Sequence, residues 1–426
     1  MANIALVCPP LPGHFNPTAT LGRALRSRGH CVTYFHIPGF EAKARAAGMD
    51  FRPVGSAGSD RLAERIREMS QRDGLRSLRF AIDCSRECSE LLCRHLPQAL
   101  VNAGTELVIV DQNEPAGATV AEHLALPFVN ICPSLPLNRE PHIPPPFAGW
   151  DYRTGFGARL RNRIGCALTD RMIAPINKTV NAYRAKWGLE PLKTPDDSFS
   201  RTAQLCQMTR DFDFPREHLP DSFHYLGPFF DDYGPAIGFP FERLNGKPLI
   251  YASLGTLQQH KSGLFKVIAE ACAGLNVQLV ISTGGSATAM GDLPGSPIVV
   301  SYAPQMEILS RAALTITHGG LNTVMQSLSF GVPMVALPIT HDQPAIAARV
   351  RHSGTGEVIA ASKVNARLLR RSVLRVIAEP SYRRRAGSLR ESIRVAGGVE
   401  RAATIVEQLL AGTVAGAHGQ DAFRNR

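Results

Sequence analysis

His14 lies in the run Pro9-Pro10-Leu11-Pro12-Gly13-His14-Phe15-Asn16-Pro17, between an apolar segment at residues 4–7 and a helix expected from about Thr18. Imidazole titrates near neutrality and is suited to taking a proton from an alcohol. An alcohol is a poor nucleophile until something removes that proton. A second apolar segment, residues 107–110, ends at Asp111. A carboxylate bonded to one ring nitrogen fixes the tautomer that leaves the other nitrogen free as a base. Each residue also has an ordinary structural alternative, His14 as a loop residue and Asp111 as the cap of a helix expected near Glu114. Asn113, two positions beyond Asp111, falls on the same side of the site.

The densest chemical signal runs through residues 302–343. It reads Tyr302-Ala303-Pro304-Gln305, His318-Gly319-Gly320-Leu321-Asn322-Thr323, Gly331-Val332-Pro333 and His341-Asp342-Gln343. The apolar segment 314–317 feeds straight into His318-Gly319-Gly320 and then a helix. Small residues let backbone approach a phosphate, and a helix N-terminus supplies free N–H groups and a favourable dipole. Upstream, Ser253-Leu254-Gly255-Thr256 is a second strand-to-glycine turn able to hold phosphate oxygens. Ordinary βα turns explain the glycines but not the polar load of Ser253, Thr256, Gln305, His318, Asn322, Asp342 and Gln343 at successive strand ends.

The elements that must position these groups follow one rhythm of short apolar strand, turn and helix. Strands are expected at residues 4–7, 32–35, 107–110 and 128–131, and again at 248–252, 278–281, 298–300, 314–317 and 334–337. Near-continuous apolar strands alternating with helices indicate parallel sheets covered on both faces. Two such series predict two doubly wound α/β domains, residues 1–235 and 236–411, with a turn-rich boundary at 231–247 and a loose tail from Gly412. Open sheets bind ligands at the carboxyl ends of their strands, so the site is expected in the cleft between them.

Of the net charge of +11, nine units fall in residues 236–426, a balance that suits an anionic ligand such as a diphosphate, though most of these arginines read as solvated helix faces. Nothing resembles a nucleic-acid module. The nine cysteines form no C-x-x-C pair, which argues against zinc and for a reduced compartment. No apolar run approaches the ~18 residues of a spanning helix, and Met1-Ala2-Asn3 does not read as a signal peptide, so a cytoplasmic location is expected. Asp211-Phe212-Asp213 matches the D-x-D pattern of metal-dependent transferases, but it follows no core strand and is not expected to bind metal.

Together, Gly13-His14-x-Asn16-Pro17 and the spaced motifs from Ala303-Pro304-Gln305 to Asp342-Gln343 resemble the family 1 UDP-glycosyltransferases, across nearly the whole chain. That resemblance implies the GT-B fold, two Rossmann-like domains facing a cleft. Val110-Asp111-Gln112-Asn113-Glu114-Pro115-Ala116-Gly117, Leu135-Pro136-Leu137-Asn138-Arg139-Glu140-Pro141 and Ser253-Leu254-Gly255-Thr256-Leu257-Gln258 look like the bacterial branch that glucosylates the ring hydroxyls of carotenoids such as zeaxanthin. By resemblance, Tyr302 stacks on uracil and the Ala303 backbone pairs its edge. Ser253, Thr256, His318, Asn322 and Thr323 hold the diphosphate, and Gly255 and Gly320 belong to the same donor-binding set. Gln305 belongs to the same donor signature, and Asp342 and Gln343 read the sugar. His14, oriented by Asp111, deprotonates the acceptor, and one displacement inverts the anomeric centre without a metal or other cofactor. Plant relatives carry tryptophan at the Tyr302 position and a ribose-gripping glutamate where Gln326 stands, so ribose is met here without a charge.

The acceptor wall is expected in residues 132–150, where Leu135, Leu137, Phe147 and Trp150 lie among prolines; such a loop suits a hydrophobic hydroxylated acceptor. A carotenoid is the expected partner, with a macrolide, polyketide or other natural product as the alternative. Residues 151–187 carry eight Lys+Arg against two Asp, interleaved with apolar residues at roughly helical spacing. They suit either a helix packed on the first domain or one resting on the inner face of the cytoplasmic membrane.

Overall fold

The computed structural model describes residues 1–55, 59–68, 74–231, 233, 237–255, 262–285 and 292–424. The first sheet contains β1 (Asn3–Val7), β2 (Cys31–His36), β3 (Asp50–Pro53), β4 (Leu107–Asp111), β5 (Phe128–Cys132), β6 (Gln204–Cys206) and β7 (Phe223–Tyr225). Its order is β3-β2-β1-β4-β5-β6-β7, all parallel. The second contains β8 (Leu249–Ser253), β9 (Gln278–Ser282), β10 (Ile298–Val300), β11 (Ala312–Thr317), β12 (Met334–Ala336) and β13 (Gly356–Val358). Its order is β10-β9-β8-β11-β12-β13, again all parallel. Both are doubly wound sheets, and together they make the GT-B architecture. Each strand sends alternate residues to opposite cores: Ile4 and Leu6 join one cluster, Ala5 and Val7 another. This two-sided burial is why the strands read as unbroken apolar runs.

The sequence missed β3, β6, β7 and β13, which are three or four residues long. It also misplaced the start of the first helix, which begins at Pro12, with proline in its first turn, and runs to Ser27. His14 therefore sits inside that first turn rather than in a loop ahead of it. Residues 398–411, grouped with the second domain from sequence, pack instead on the first. Ala402, Ala403 and Val406 of the helix Gly398–Arg424 join the core of β1 and β2, while Arg28 pairs with Glu400 and Glu407. That helix continues past Gly412 to Arg424.

A further apolar cluster joins the two sheets. Cys132, Met208 and Phe212 from the first domain pack with Leu321, Val324, Met325, Ile346 and Val350 from the second. Beside it, Asp213 bonds Arg216 at 2.6 Å and Arg349 at 2.7 Å, and accepts from the Tyr225 hydroxyl at 2.7 Å. The Arg349 guanidinium lies over the Phe214 ring, 4.3 Å from its centroid. Asp213 of the D-x-D motif is thus half of a buried bridge between domains. These contacts fix the cleft in which the site lies.

Candidate active site at two facing switch points

In each sheet the strand order reverses once, between β1 and β4 and between β8 and β11. Such a switch point opens a crevice at the strand ends. His14 follows β1 and Asp111 ends β4, whose residues pair in register up to Val7 with Val110. The His14 Nδ1 lies 2.7 Å from Asp111 Oδ2. The other carboxylate oxygen, Oδ1, accepts from the Asn113 backbone at 2.8 Å and its side chain at 3.1 Å. Asp111 is fully buried while His14 keeps 19% of its side chain exposed. Nδ1 is thus committed, and Nε2 is the ring nitrogen left free. Burial disfavours the imidazolium, but the Asp111 carboxylate outweighs it, with Asp342 adding, and His14 is held above the ordinary histidine value.

Beneath this pair, Glu114 precedes the helix Pro115–His123 and is buried. Burial first, then the Asp111 charge, pushes its carboxyl up to about 8. It is therefore protonated at neutral pH and adds no charge beside the His14–Asp111 pair. Between the ordinary glutamate value of 4.5 and about 8 the folded state holds a proton that the unfolded chain releases. Stability consequently falls as pH rises through that window. A Glu114→Gln variant should show a flatter dependence of urea-unfolding midpoint on pH between 5 and 8; a parallel curve would show that Glu114 is ionised in the fold.

The second switch point carries the donor signature. Ser253 ends β8 and His318 follows β11, with Thr317 and Ser253 paired in register. The His318 ring fills the space between two glycine turns. A Cβ on Gly255 would come within 2.8 Å of it and one on Gly320 within 2.6 Å, and Gly255 also has φ +76°. Any larger residue at either position would displace the ring. Burial lowers His318 to about 4, against a backbone hydrogen bond at Ser253 that raises it, so the ring is neutral at pH 7. Its Nδ1 has no hydrogen-bond partner among the described residues.

Gly320 caps the helix Leu321–Ser329 without a side-chain bond, so the first-turn N–H groups face the cleft beside Asn322 and Thr323. Tyr302 is 51% exposed on the cleft wall, next to buried Ala303. A relay then orients Gln326: the Tyr251 hydroxyl donates to Gln305 Oε1 at 2.9 Å, and Gln305 Nε2 donates to Gln326 Oε1. Gln343 Oε1 accepts from the Ile339 and Thr340 backbones at 2.9 and 3.0 Å. This leaves its amide N–H groups for a ligand. Asp342 caps the helix Gln343–Ser353 with no side-chain capping bond. Thr256 lies outside the described residues.

Two contacts bring the halves together. Asn322 Nδ2 donates to the Gly13 carbonyl at 3.4 Å, and Asn322 Oδ1 accepts from Gln207 at 2.8 Å. Asp342 and His14 also act on each other's charge, the aspartate raising the imidazole and the imidazole lowering the aspartate. His14, the N-terminus of the helix Leu321–Ser329 and Asp342 thus share one cavity of about 1000 Å³. None of the arginines between Arg349 and Arg401 lines it. The charge of a diphosphate would instead be met by helix N-termini and His318.

On the acceptor side Asn113, Leu135, Leu137 and Phe147 line the cavity. Trp150 does not: its ring packs over Gly165 and under the Arg161 guanidinium, 4.9 Å from the ring centroid. Much of the apolar wall comes from elements the sequence did not place there, including Leu78, Ile82, Met172, Ile173, Ile176 and Phe230. Gln207 and His341 were also missed. His341 adopts φ +56° immediately before Asp342, a left-handed turn that histidine tolerates better than branched residues. Its adjacency to Asp342-Gln343 was the available signal.

A family profile described as UDP-glucoronosyl and UDP-glucosyl transferase matches residues 59–393. The chain belongs to that family. A zeaxanthin glucosyltransferase of Pantoea ananas is 34% identical over 422 residues, 96% of each chain. One of Pseudescherichia vulneris is 33% identical, covering 97% of this chain and 99% of its own. Among solved structures, the calicheamicin glycosyltransferase CalG4 superposes with a TM-score of 0.75 at 22% identity, over 97% of this chain and 99% of its own, a likeness of fold. As a member of the UDP-glycosyltransferase family the chain is a transferase, and its substrates are a UDP-sugar and a hydroxylated acceptor.

Proposed function

We propose that the protein transfers glucose from UDP-glucose to the ring hydroxyls of a carotenoid such as zeaxanthin, with inversion and without a metal. The observation that carries this reading is the His14–Asp111 pair, set between an apolar acceptor wall and the donor signature in one cavity. Tyr302 offers a face to the uracil and the Gln305-bound Gln326 meets the ribose. The diphosphate lies against the first turn of Leu321–Ser329, beside His318, and Asp342 and Gln343 meet the glucose hydroxyls. The acceptor oxygen gives its proton to His14 Nε2 as it forms a bond to C1. The bond from C1 to the diphosphate oxygen breaks, and its electron pair leaves with UDP. One displacement turns an α-linked donor into a β-glucoside. Preorganised N–H donors aimed at the leaving group lower the barrier without a cation.

The resemblance of the acceptor-side motifs, and the two zeaxanthin glucosyltransferases at 34% and 33% identity, support the carotenoid. Incubation with UDP-glucose and zeaxanthin in detergent, with and without EDTA, is expected to give mono- and diglucosides in equal yield, with β anomeric coupling by NMR. Product with a polyketide or macrolide alcohol but none with zeaxanthin would overturn the acceptor. Loss of product in EDTA would overturn the metal-free mechanism.

A further inference from the structure

The helix Phe156–Lys186 is two-faced in an unusual sense. Its inner side carries buried Asn162 and Gly165 and sends Cys166, Thr169, Ile173 and Ile176 to the acceptor cavity. Its outer side is apolar as well. Phe156, Leu160, Ile164 and Leu168 are all exposed, from 49% at Leu160 to 82% at Phe156. They recur every four residues, so the stripe winds about 40° per step and runs about 18 Å along the helix. Large apolar side chains left together in water mark an interaction surface.

The charge beside the stripe says what that surface fits. Arg163 and Arg171 lie exposed beside it, Arg159 flanks it, and Arg153 precedes the helix. Arg153, Arg163 and Arg171 have no ion-pair partner among the described residues. The helix's single acid, Asp170, is taken up by Arg139, at 2.8 Å in one of two contacts. An apolar stripe edged by unpaired arginines complements the anionic headgroups and acyl boundary of a lipid surface. A protein partner of that chemistry would need an acidic rim and an apolar groove together; a bilayer offers both without specific shape.

We propose that this face docks on an anionic bilayer and sets the acceptor cavity at the lipid boundary. The inner side of the same helix lines that cavity, so an apolar acceptor can pass from acyl chains to His14 with little exposure to water. The purpose assigned to the surface rests on the hydrophobic-acceptor reading; the docking itself does not, and it is measured without donor or acceptor. Flotation with vesicles of phosphatidylglycerol and phosphatidylcholine should recover the protein with lipid, less so as salt rises. Vesicles of phosphatidylcholine alone should recover little. The exposed triple substitution Leu160→Glu/Ile164→Glu/Leu168→Glu should lower partitioning by about tenfold or more, and Arg163→Glu/Arg171→Glu should lower it on anionic vesicles. Neither variant touches the cavity lining, so both should keep UDP binding and the wild-type melting temperature. Absence of the wild type from anionic vesicles would overturn the proposal. So would equal recovery of wild type and triple variant, or a dimer in sedimentation that the triple variant dissolves while vesicle binding is unchanged.

Discussion

A His14→Ala variant is expected to lose transfer activity by roughly 10²–10⁴-fold in kcat, while binding UDP as the wild type does. The direction follows from geometry. His14 lies on the first domain, with Nδ1 held at 2.7 Å by Asp111, so Nε2 is the position from which a proton can be taken. Tyr302, His318 and the helix Leu321–Ser329, which would carry the nucleotide, stand on the second domain. Truncation at His14 also leaves the β1–β4 pairing intact. Steady-state kinetics with calorimetric UDP titration separates the outcomes: loss of UDP affinity with activity would make His14 structural. An Asp111→Asn variant adds a readout that a purely structural role would not move. Burial alone lowers His14 and Asp111 is the leading group that raises it. The base must be neutral, so wild-type kcat/KM should fall with acid through a value above the ordinary histidine range. In Asp111→Asn that acid limb should move to lower pH, together with a lower plateau.

What the sequence made legible was set by burial on both faces. Strands such as β1, β4 and β8 read as continuous apolar runs because each is covered on two sides, and the polar residues that punctuate their ends are the site. The short strands β3, β7 and β13 stand at sheet edges, and β6 spans three residues. At those lengths neither alternation nor an apolar run accumulates. His14 and Asp111 could be paired in advance because their positions after β1 and at the end of β4 follow from doubly wound topology. Trp150 could not be placed, because whether a ring faces a cavity or a neighbouring helix depends on Gly165, which lets the two elements close. Cross-domain packing was invisible for a similar reason. The Gly398–Arg424 helix has little periodic signal of its own and finds its apolar partners in the core of β1 and β2.

Replacing Asp213 by asparagine is expected to destabilise the fold by about 3–5 kcal/mol, read as a lower urea midpoint at neutral pH. Asp213 is fully buried, and it faces two guanidinium groups that are each 2% exposed, Arg216 from its own domain and Arg349 from the other. Burial alone would raise the carboxyl, but the two arginines hold it well below the usual carboxylate range. Its contribution is therefore present above the ordinary aspartate value and is lost only as pH falls through the depressed one, so it is constant from pH 5 to 8. Asparagine keeps the shape but leaves two buried cations without their counter-ion. A surface pair would be worth a small fraction of this. An Arg349→Met variant should lose less, since Asp213 keeps Arg216 and the apolar chain can lie on Phe214. The loss should also reach the donor site. Arg349 belongs to the helix Gln343–Ser353, whose first turn carries Gln343 and whose cap is Asp342. Asp213→Asn should therefore weaken UDP-glucose binding more than UDP binding, because the sugar-side residues move with that helix while Tyr302 and His318 do not. A midpoint shift worth under about 1 kcal/mol, the range of a solvent-screened pair, would show that the two domains are held by their shared apolar cluster alone.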